Sequence, residues 1–316
     1  MICSYLFVWE GNKQNRHPEG EVPVSFHVDE EIVSQPECWA RADALMPEIA
    51  GLLPASGERV AFVGCGTSWF VAQVLAEWRE TKGHGLSYAF TASEVPERPY
   101  DRIVALTRSG TTTEVIDVLQ RAQGRVPTVV VTGDMTSPVV DLADKVVDLS
   151  FADEQSVVQT RFATSTLALF RSFFGEPIAP LIEQAQESLA VPLDSDLVGV
   201  EQMTFLGRGW TIGIAHEAAL KFRETSASWA ESYPAMDYRH GPIAIATEGR
   251  AVWMFGPAPV GLAGQVTATG ARFVERNVDP MADLVLVQRI AVARAAAMGL
   301  DPDQPRHLTR SIILTG

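Results

Sequence analysis

Glu217, Lys221 and Glu224 stand four and three residues apart, a spacing that puts a carboxylate, an ammonium and a second carboxylate on one helix face. Two chemistries fit that pattern. One is a solvated ladder of ion pairs; the other is acid/base work, in which a carboxylate close to the reacting carbon moves a proton beside a carbonyl. A histidine side chain can exchange a proton near neutral pH and so suits ring opening, and His240 stands in the turn His240-Gly241-Pro242. A second cluster is Thr107-Arg108-Ser109-Gly110-Thr111-Thr112-Thr113-Glu114, which follows an apolar run and opens a helix. Free N–H groups and a positive partial charge at a helix start, surrounded by hydroxyls, suit a phosphate monoester. Thr111 with Glu114 also spells a capping box that needs no ligand. Capping leaves Arg108, Ser109, Gly110 and Thr112 on the same turn without a purpose, so phosphate binding is the reading carried forward.

A third motif, Gly64-Cys65-Gly66-Thr67-Ser68-Trp69, lies between a short apolar run and a helical pattern. A dinucleotide fingerprint requires glycine or alanine where Trp69 stands and an acid after the second strand, where Phe90 and Thr91 stand. A tight turn for helix packing remains, and no nicotinamide, flavin or other cofactor is expected. His216 and His307 have no partner at metal-ligand spacing, so no metal is expected either. There is no GxSxG, Walker A, HExxH or EF-hand pattern.

These residues are carried by an internal repeat. At an offset of 143 (205 minus 62), Phe62, Gly64, Gly66, Ala72 and Ala76 recur as Phe205, Gly207, Gly209, Ala215 and Ala219. Each copy reads as strand, glycine turn, helix: strands at 60–63 and 203–206, helices at 69–80 and 211–228, the first capped by Thr67 or Ser68. Further strands are expected at 103–107, 126–132 and 146–149 in the first half and at 251–255 and 271–275 in the second. Helices are expected at 112–122, 138–143, 162–174, 182–190 and 283–298. Alternating strands and helices imply parallel sheets, with ligands beyond the carboxyl ends of the strands. The second unit reads as the shorter one.

The 316 residues, 47% hydrophobic and 20% charged, match about two folded domains. A net charge of -14 (25 basic against 39 acidic residues) repels polyanions, so no nucleic-acid partner is expected. Cys3, Cys38 and Cys65 are odd in number and lack CxxC spacing, which fits a reducing, cytoplasmic compartment. The apolar start Met1 to Trp9 has no basic leader or cleavage site, and no stretch is long enough to span a bilayer, so no membrane partner is expected. Residues 1–30 read as an N-terminal arm, 31–176 as the first domain, and 177–316 as the second domain with a C-terminal tail.

From about Glu31 to Leu314 the chain resembles the SIS (sugar isomerase) family, in particular the isomerase half of glucosamine-6-phosphate synthase and its stand-alone isomerase and deaminase relatives. The resemblance rests on Phe62 to Ser68, Arg108 to Thr112, Phe205 to Gly209, Glu217 to Glu224, His240-Gly241-Pro242 and the tail Asp301-Pro302-Asp303-Gln304-Pro305-Arg306. It implies an α/β fold of two tandem flavodoxin-like SIS units, each a parallel sheet flanked by helices. It also implies a homodimer whose sugar-phosphate site is shared between chains. The substrate would be a hexose, ketose or amino-sugar 6-phosphate, bound by Gly64, Cys65, Gly66, Thr67, Ser68, Thr107, Arg108, Ser109, Gly110, Thr111, Thr112, Gln159, Glu217 and Arg310. Ser109 and Thr112 would hold phosphate, Glu224 would be the base between C1 and C2 with Lys221 beside it, and His240 would assist ring opening.

Three departures shape the expectation. Ile2, not a nucleophilic cysteine, follows Met1 and no glutaminase domain precedes the first unit, so glutamine-dependent transfer is not expected. Thr107-Arg108-Ser109 replaces the synthase's Ser-Gln-Ser, keeping hydroxyls and adding a fixed cation. Arg310 replaces a tail lysine able to form an imine, and a guanidinium cannot condense with a carbonyl. A sugar-phosphate sensor without turnover is the rival from another class; retention of Glu224 and His240, and the lack of a DNA-binding domain, argue against it.

Overall fold

A computed structural model describes residues 26–314. Cys3 and the part of the expected arm before residue 26 lie outside the described residues. Three helices open the described chain: α1 (His27–Val33), α2 (Gln35–Ala44) and α3 (Met46–Ile49). Then follow β1 (Val60–Gly64), α4 (Thr67–Thr81), β2 (Ser87–Thr91), β3 (Arg102–Thr107), α5 (Thr113–Ala122), β4 (Thr128–Thr132), α6 (Val139–Leu142), β5 (Lys145–Asp148) and α7 (Arg161–Phe173). The second half holds α8 (Ala179–Ala190), α9 (Ser195–Val198), β6 (Gln202–Gly207), α10 (Thr211–Ser226), β7 (Ala230–Pro234), β8 (Arg250–Met254), α11 (Leu262–Thr267), β9 (Arg272–Glu275) and α12 (Pro280–Ala297).

The fold is α/β, with two parallel sheets flanked by helices. The first sheet has five strands in the order β2-β1-β3-β4-β5, and the second has four in the order β7-β6-β8-β9. All seven strand pairings are parallel. The inner strands β1, β4 and β6 are buried along their whole length, so they read as continuous apolar runs instead of alternating ones. The glycine turns of the repeat end β1 and β6 with matching backbones, φ being 55° at Gly66 and 52° at Gly209.

One face of each sheet turns toward the other across a shared helical layer. A single apolar cluster runs from Val60, Phe62 and Phe170 through Val74 and Ile214 to Phe205, Trp253 and Ile290. Each fully buried aliphatic or aromatic side chain in it contributes about 1.5–3 kcal/mol relative to exposure. The junction is the packing of α4 on α10, with Trp78 and Trp210 rings 4.7 Å apart. Gly213 permits it: a Cβ there would sit 2.6 Å from Val74 Cγ2 and 2.8 Å from the Phe70 carbonyl oxygen. The outer faces are covered by α5 on the first sheet and by α11 on the second.

The expected boundary between residues 30 and 31 falls inside α1. That helix is anchored to the tail: its first N–H groups, at His27 and Val28, donate to the Asp303 carboxylate at 2.7 and 2.9 Å. Among the described residues no helix is long and apolar enough to cross a membrane.

Candidate active site

The helix face expected from the 217/221/224 spacing is present, and it is not a solvated ladder. Glu217 and Lys221 are 3% and 1% exposed, because this face of α10 packs against the start of α4. Lys221 Nζ donates to Glu224 Oε2 at 2.5 Å and to Thr67 Oγ1 at 3.0 Å, and lies 3.4 Å from Glu217 Oε1. Thr67 Oγ1 in turn donates to Glu217 Oε1 at 3.3 Å. The second Glu217 oxygen is buried without a hydrogen-bond partner.

Burial pushes the Glu217 carboxyl up to about 7 against the pull of Lys221, with the Glu224 charge adding to the rise. Burial opposes the charged form of Lys221 as well, yet Glu217 and Glu224 outweigh it and raise the ammonium above its ordinary value. One ammonium therefore serves two carboxylates unequally. Glu224 has the short contact, and Glu217 is the member that holds a proton near neutrality. Only Glu224 reaches open space: it borders a cavity of about 150 Å³ formed with Gly299 and Leu300 and with Asp301, Gln304 and Arg306 of the tail motif.

The hydroxyl turn after β3 is also formed, but its internal bonds differ from the sequence expectation. Neither Thr67 nor Ser68 caps α4, whose N-cap is Gly66 with no side-chain bond; Thr67 has turned to Glu217 and Lys221. The Thr111–Glu114 capping box is absent, since α5 is preceded by Thr112 and no side chain caps it. The Thr111 hydroxyl instead meets Ser109 Oγ at 3.2 Å and Ser311 Oγ at 2.8 Å. Ser109 Oγ also accepts from Thr111 N–H at 3.3 Å, and Thr107 Oγ1 accepts from Gly110 N–H at 3.2 Å. Gly110 needs no ligand to explain it: φ is 63°, and a Cβ would overlap Ser137 Oγ at 1.9 Å.

Arg108 does not offer its guanidinium to a phosphate. It is 1% exposed, donates to the carbonyls of Ser156, Val157 and Arg310 at 3.0, 3.2 and 3.1 Å, and lies 3.6 Å from the buried Glu154 carboxylate. A buried cation must be matched by acceptors, and the loop after β5 and the tail at Arg310 supply them. Arg310 follows the same logic, pairing with Asp153 at 2.5 Å and with the Glu154 carbonyl. The tail is thereby laid over the turn, where Thr113 N–H donates to the Ile312 carbonyl at 3.2 Å and Leu314 N–H to Thr113 Oγ1 at 2.9 Å. Asp153, Glu154 and Ser311 carry this arrangement without any motif in the sequence to mark them.

A small cavity of about 30 Å³ brings together Cys65, Ser68, Ser109, Thr112, Gln159 and Arg310. The Gln159 amide oxygen is buried there with no partner among the described residues. Ser68 lines this cavity while its neighbour Thr67 reaches the α10 carboxylates, so the first turn of α4 joins the two clusters. His240 is not brought to them: it is exposed, at the end of the short turn Asp237–His240, and shares no hydrogen bond or ion pair with Glu217, Lys221 or Glu224. His216 Nδ1 is 2.8 Å from Ser232 Oγ, and burial lowers its titration. No cluster of three potential metal ligands occurs among the described residues.

This geometry, a hydroxyl turn and a pair of carboxylates on one ammonium, is accompanied by a family match over the first sheet: residues 55–175 match the SIS domain. The chain's homologues are the isomerase part of glutamine–fructose-6-phosphate aminotransferases. The enzyme of that name from Brucella abortus biovar 1 (strain 9-941) is 26% identical over 327 residues, covering 84% of this chain and 53% of that protein. The chain thus spans about half the length of the curated relatives it matches. Among solved structures, glucosamine-6-phosphate deaminase from Thermotoga maritima has a TM-score of 0.75 at 23% identity, covering 91% of this chain and 100% of that one. Tagatose-6-phosphate ketose/aldose isomerase from Escherichia coli has a TM-score of 0.73 at 19% identity, covering 90% and 96%. The fold is common to this chain and both solved structures.

Proposed function

We propose that this chain is a phosphosugar isomerase built from two tandem SIS units, residues 31–176 and 177–316, acting on a hexose, ketose or amino-sugar 6-phosphate. The observation that carries the proposal is the unequal pair of carboxylates on Lys221, of which Glu224 alone faces open space. A base must reach a carbon-bound proton. Glu224, short-bonded to an ammonium, is accessible, whereas Glu217 is sealed behind Thr67.

In this mechanism Ser109 and Thr112 bind the phosphate and Gln159 accepts a hydrogen bond from the sugar. His240, supplied by the partner in a homodimer, assists ring opening. Glu224 takes the proton from C2 of the open aldose and returns it at C1, while a hydroxyl proton passes between O2 and O1, so no net proton is gained or lost. Lys221 stays protonated and acts through Glu224, holding its carboxylate in place with the 2.5 Å contact. The guanidinium of Arg310 cannot form an imine, so it serves only to order the tail. Loss of an amine from C2 can follow the same first half, which makes deamination an extension of the reaction.

The test is to incubate the protein with a panel of aldose, ketose and amino-sugar 6-phosphates while recording C2 proton exchange and ammonia release. Exchange on one member of the panel supports isomerisation, and ammonia adds deamination. Saturable binding without either would make the protein a sugar-phosphate sensor and overturn the proposal.

A further inference from the structure

The second glycine turn, Gly207-Arg208-Gly209, has no part in the chemistry above, yet it occupies the position in the second sheet that Gly64-Cys65-Gly66 occupies in the first. In the order β7-β6-β8-β9, consecutive connections leave in opposite directions from β6, and the crevice between β6 and β8 at their carboxyl ends is where open parallel sheets take ligands. A cavity of about 670 Å³ lies there, walled by the residues that follow β6, β8 and β9. That volume is within the range of pockets that enclose small organic molecules.

Its two sides are fixed to each other. Thr211 Oγ1 accepts from Arg208 N–H at 2.8 Å and donates to the Phe255 carbonyl at 3.1 Å, and Phe255 N–H donates to the Leu206 carbonyl at 2.9 Å. The chemistry is unlike that of the first site. Where the first sheet has a hydroxyl turn after β3, the second has Phe255-Gly256-Pro257-Ala258-Pro259, with no hydroxyl and with two prolines that lack an N–H. Met254, Phe255 and Val278 give an apolar wall. Two charges on the lining are already engaged: Arg276 donates to Asp283 Oδ1 at 2.8 Å, and the exposed Glu275 accepts from Ala258 N–H at 2.9 Å. Arg208 is exposed, and its guanidinium has no partner among the described residues.

We propose that this cavity is a second small-molecule site, taking an organic anion whose apolar body lies on Met254, Phe255 and Val278 and whose single carboxylate, phosphate or sulfonate group pairs with Arg208. The sugar phosphate of the first site is not its ligand, because the hydroxyl turn proposed to hold that phosphate is replaced here by Phe255-Gly256-Pro257 beside an apolar wall. The inference is independent of the isomerase reading, since it concerns binding at residues that reading does not use.

Calorimetric titration of the full chain with 2-naphthoate tests it, with Arg208→Gln, Val278→Asp and the double variant Ser109→Ala/Thr112→Val as comparisons. The expected result is one saturable site in the wild type, weakened at least about tenfold by Arg208→Gln through loss of a charge-assisted bond and likewise by Val278→Asp, which sets a carboxylate on the wall. The double variant should bind naphthoate as the wild type does, and excess fructose 6-phosphate should not displace it. Because the Arg208 side chain touches no partner, Arg208→Gln should melt with the wild type. Absence of saturable binding up to millimolar naphthoate, affinity unchanged in both cavity variants, or displacement by fructose 6-phosphate would overturn the proposal.

Discussion

Thr67 Oγ1 accepts a hydrogen bond from Lys221 Nζ at 3.0 Å, across 154 residues of sequence and from one sheet's helix to the other's. That bond makes the candidate active site a property of the junction between the two sheets. α4 brings the hydroxyl, α10 brings the ammonium and both carboxylates, and Gly213 lets the helices come close enough for them to meet.

Glu224→Gln should keep the fold and sugar-phosphate affinity but lower turnover by at least about a hundredfold, the usual worth of a positioned general base. C2 proton exchange measures it, and near-normal exchange in the variant would assign the base elsewhere.

At the hydroxyl turn the two candidate ligands should separate. Thr112 makes no capping bond, so Thr112→Val should leave the melting temperature nearly unchanged while weakening sugar-phosphate binding in a calorimetric titration. Ser109→Ala also removes the acceptor of two Thr111 bonds and should cost about 1 kcal/mol of stability besides affinity. Unchanged affinity in both variants would make the turn structural only.

The raised Glu217 carboxyl has a sign that can be checked by urea unfolding at several pH values. Its folded value of about 7 exceeds the ordinary 4.5, so its contribution is fully present below pH 4.5 and is lost as pH rises through 7. Glu217→Gln should remove on the order of 1–3 kcal/mol of that dependence between pH 4.5 and 7 relative to wild type. A wild-type slope retained in the variant would contradict the assignment.

Arg310→Ala deletes the ion pair with Asp153 and the bond to the Glu154 carbonyl, so the tail should become the first point of protease cleavage. Borohydride with substrate should leave the wild-type tail peptide unmodified in mass spectrometry, since no imine forms at an arginine. A tail adduct would refute this, and one on Lys221 would move covalent chemistry to α10.

If His240 serves the partner's site, inactive Glu224→Gln and inactive His240→Ala proteins should recover activity when mixed. At equal mixing, half the dimers are mixed and half of their sites intact, giving about a quarter of wild-type activity under random exchange. Confirmed subunit exchange with no regained turnover would place His240 in its own chain's site.

The repeated strand, glycine turn and helix are legible in the sequence because each rests on local pattern: short, mostly apolar buried runs, glycines at turns and 3.6-residue periodicity. β7, Ala230–Pro234, is not, because Ala-Glu-Ser-Tyr-Pro has neither an apolar run nor regular alternation, and its half-buried edge position demands neither. α1 and α2 escape for a related reason. They bury Glu31 and Gln35 as well as apolar residues, with Glu31 accepting from Gln155 N–H at 2.6 Å and Gln35 donating to Gln288 at 2.7 Å. The capping expectations at Thr67 and Thr111 fail because each hydroxyl finds a distant partner, Lys221 in one case and Ser311 in the other. Local capping rules carry no information about such partners. Arg108 misleads for the same reason, its acceptors being carbonyls whose positions only the tertiary fold sets.

The apolar cluster that runs without a break from the first sheet to the second has a thermodynamic meaning. Each half keeps a smaller core of its own under α5 or α11, but the large cluster is common to both sheets, so the loss of either half strips the other of its inner face and heat or denaturant should melt both in one cooperative step. The bond from Thr67 to Lys221 then has no partially unfolded state in which to persist. Any change that loosens the α4–α10 junction, however far from the hydroxyl turn, acts on stability and on the site at once.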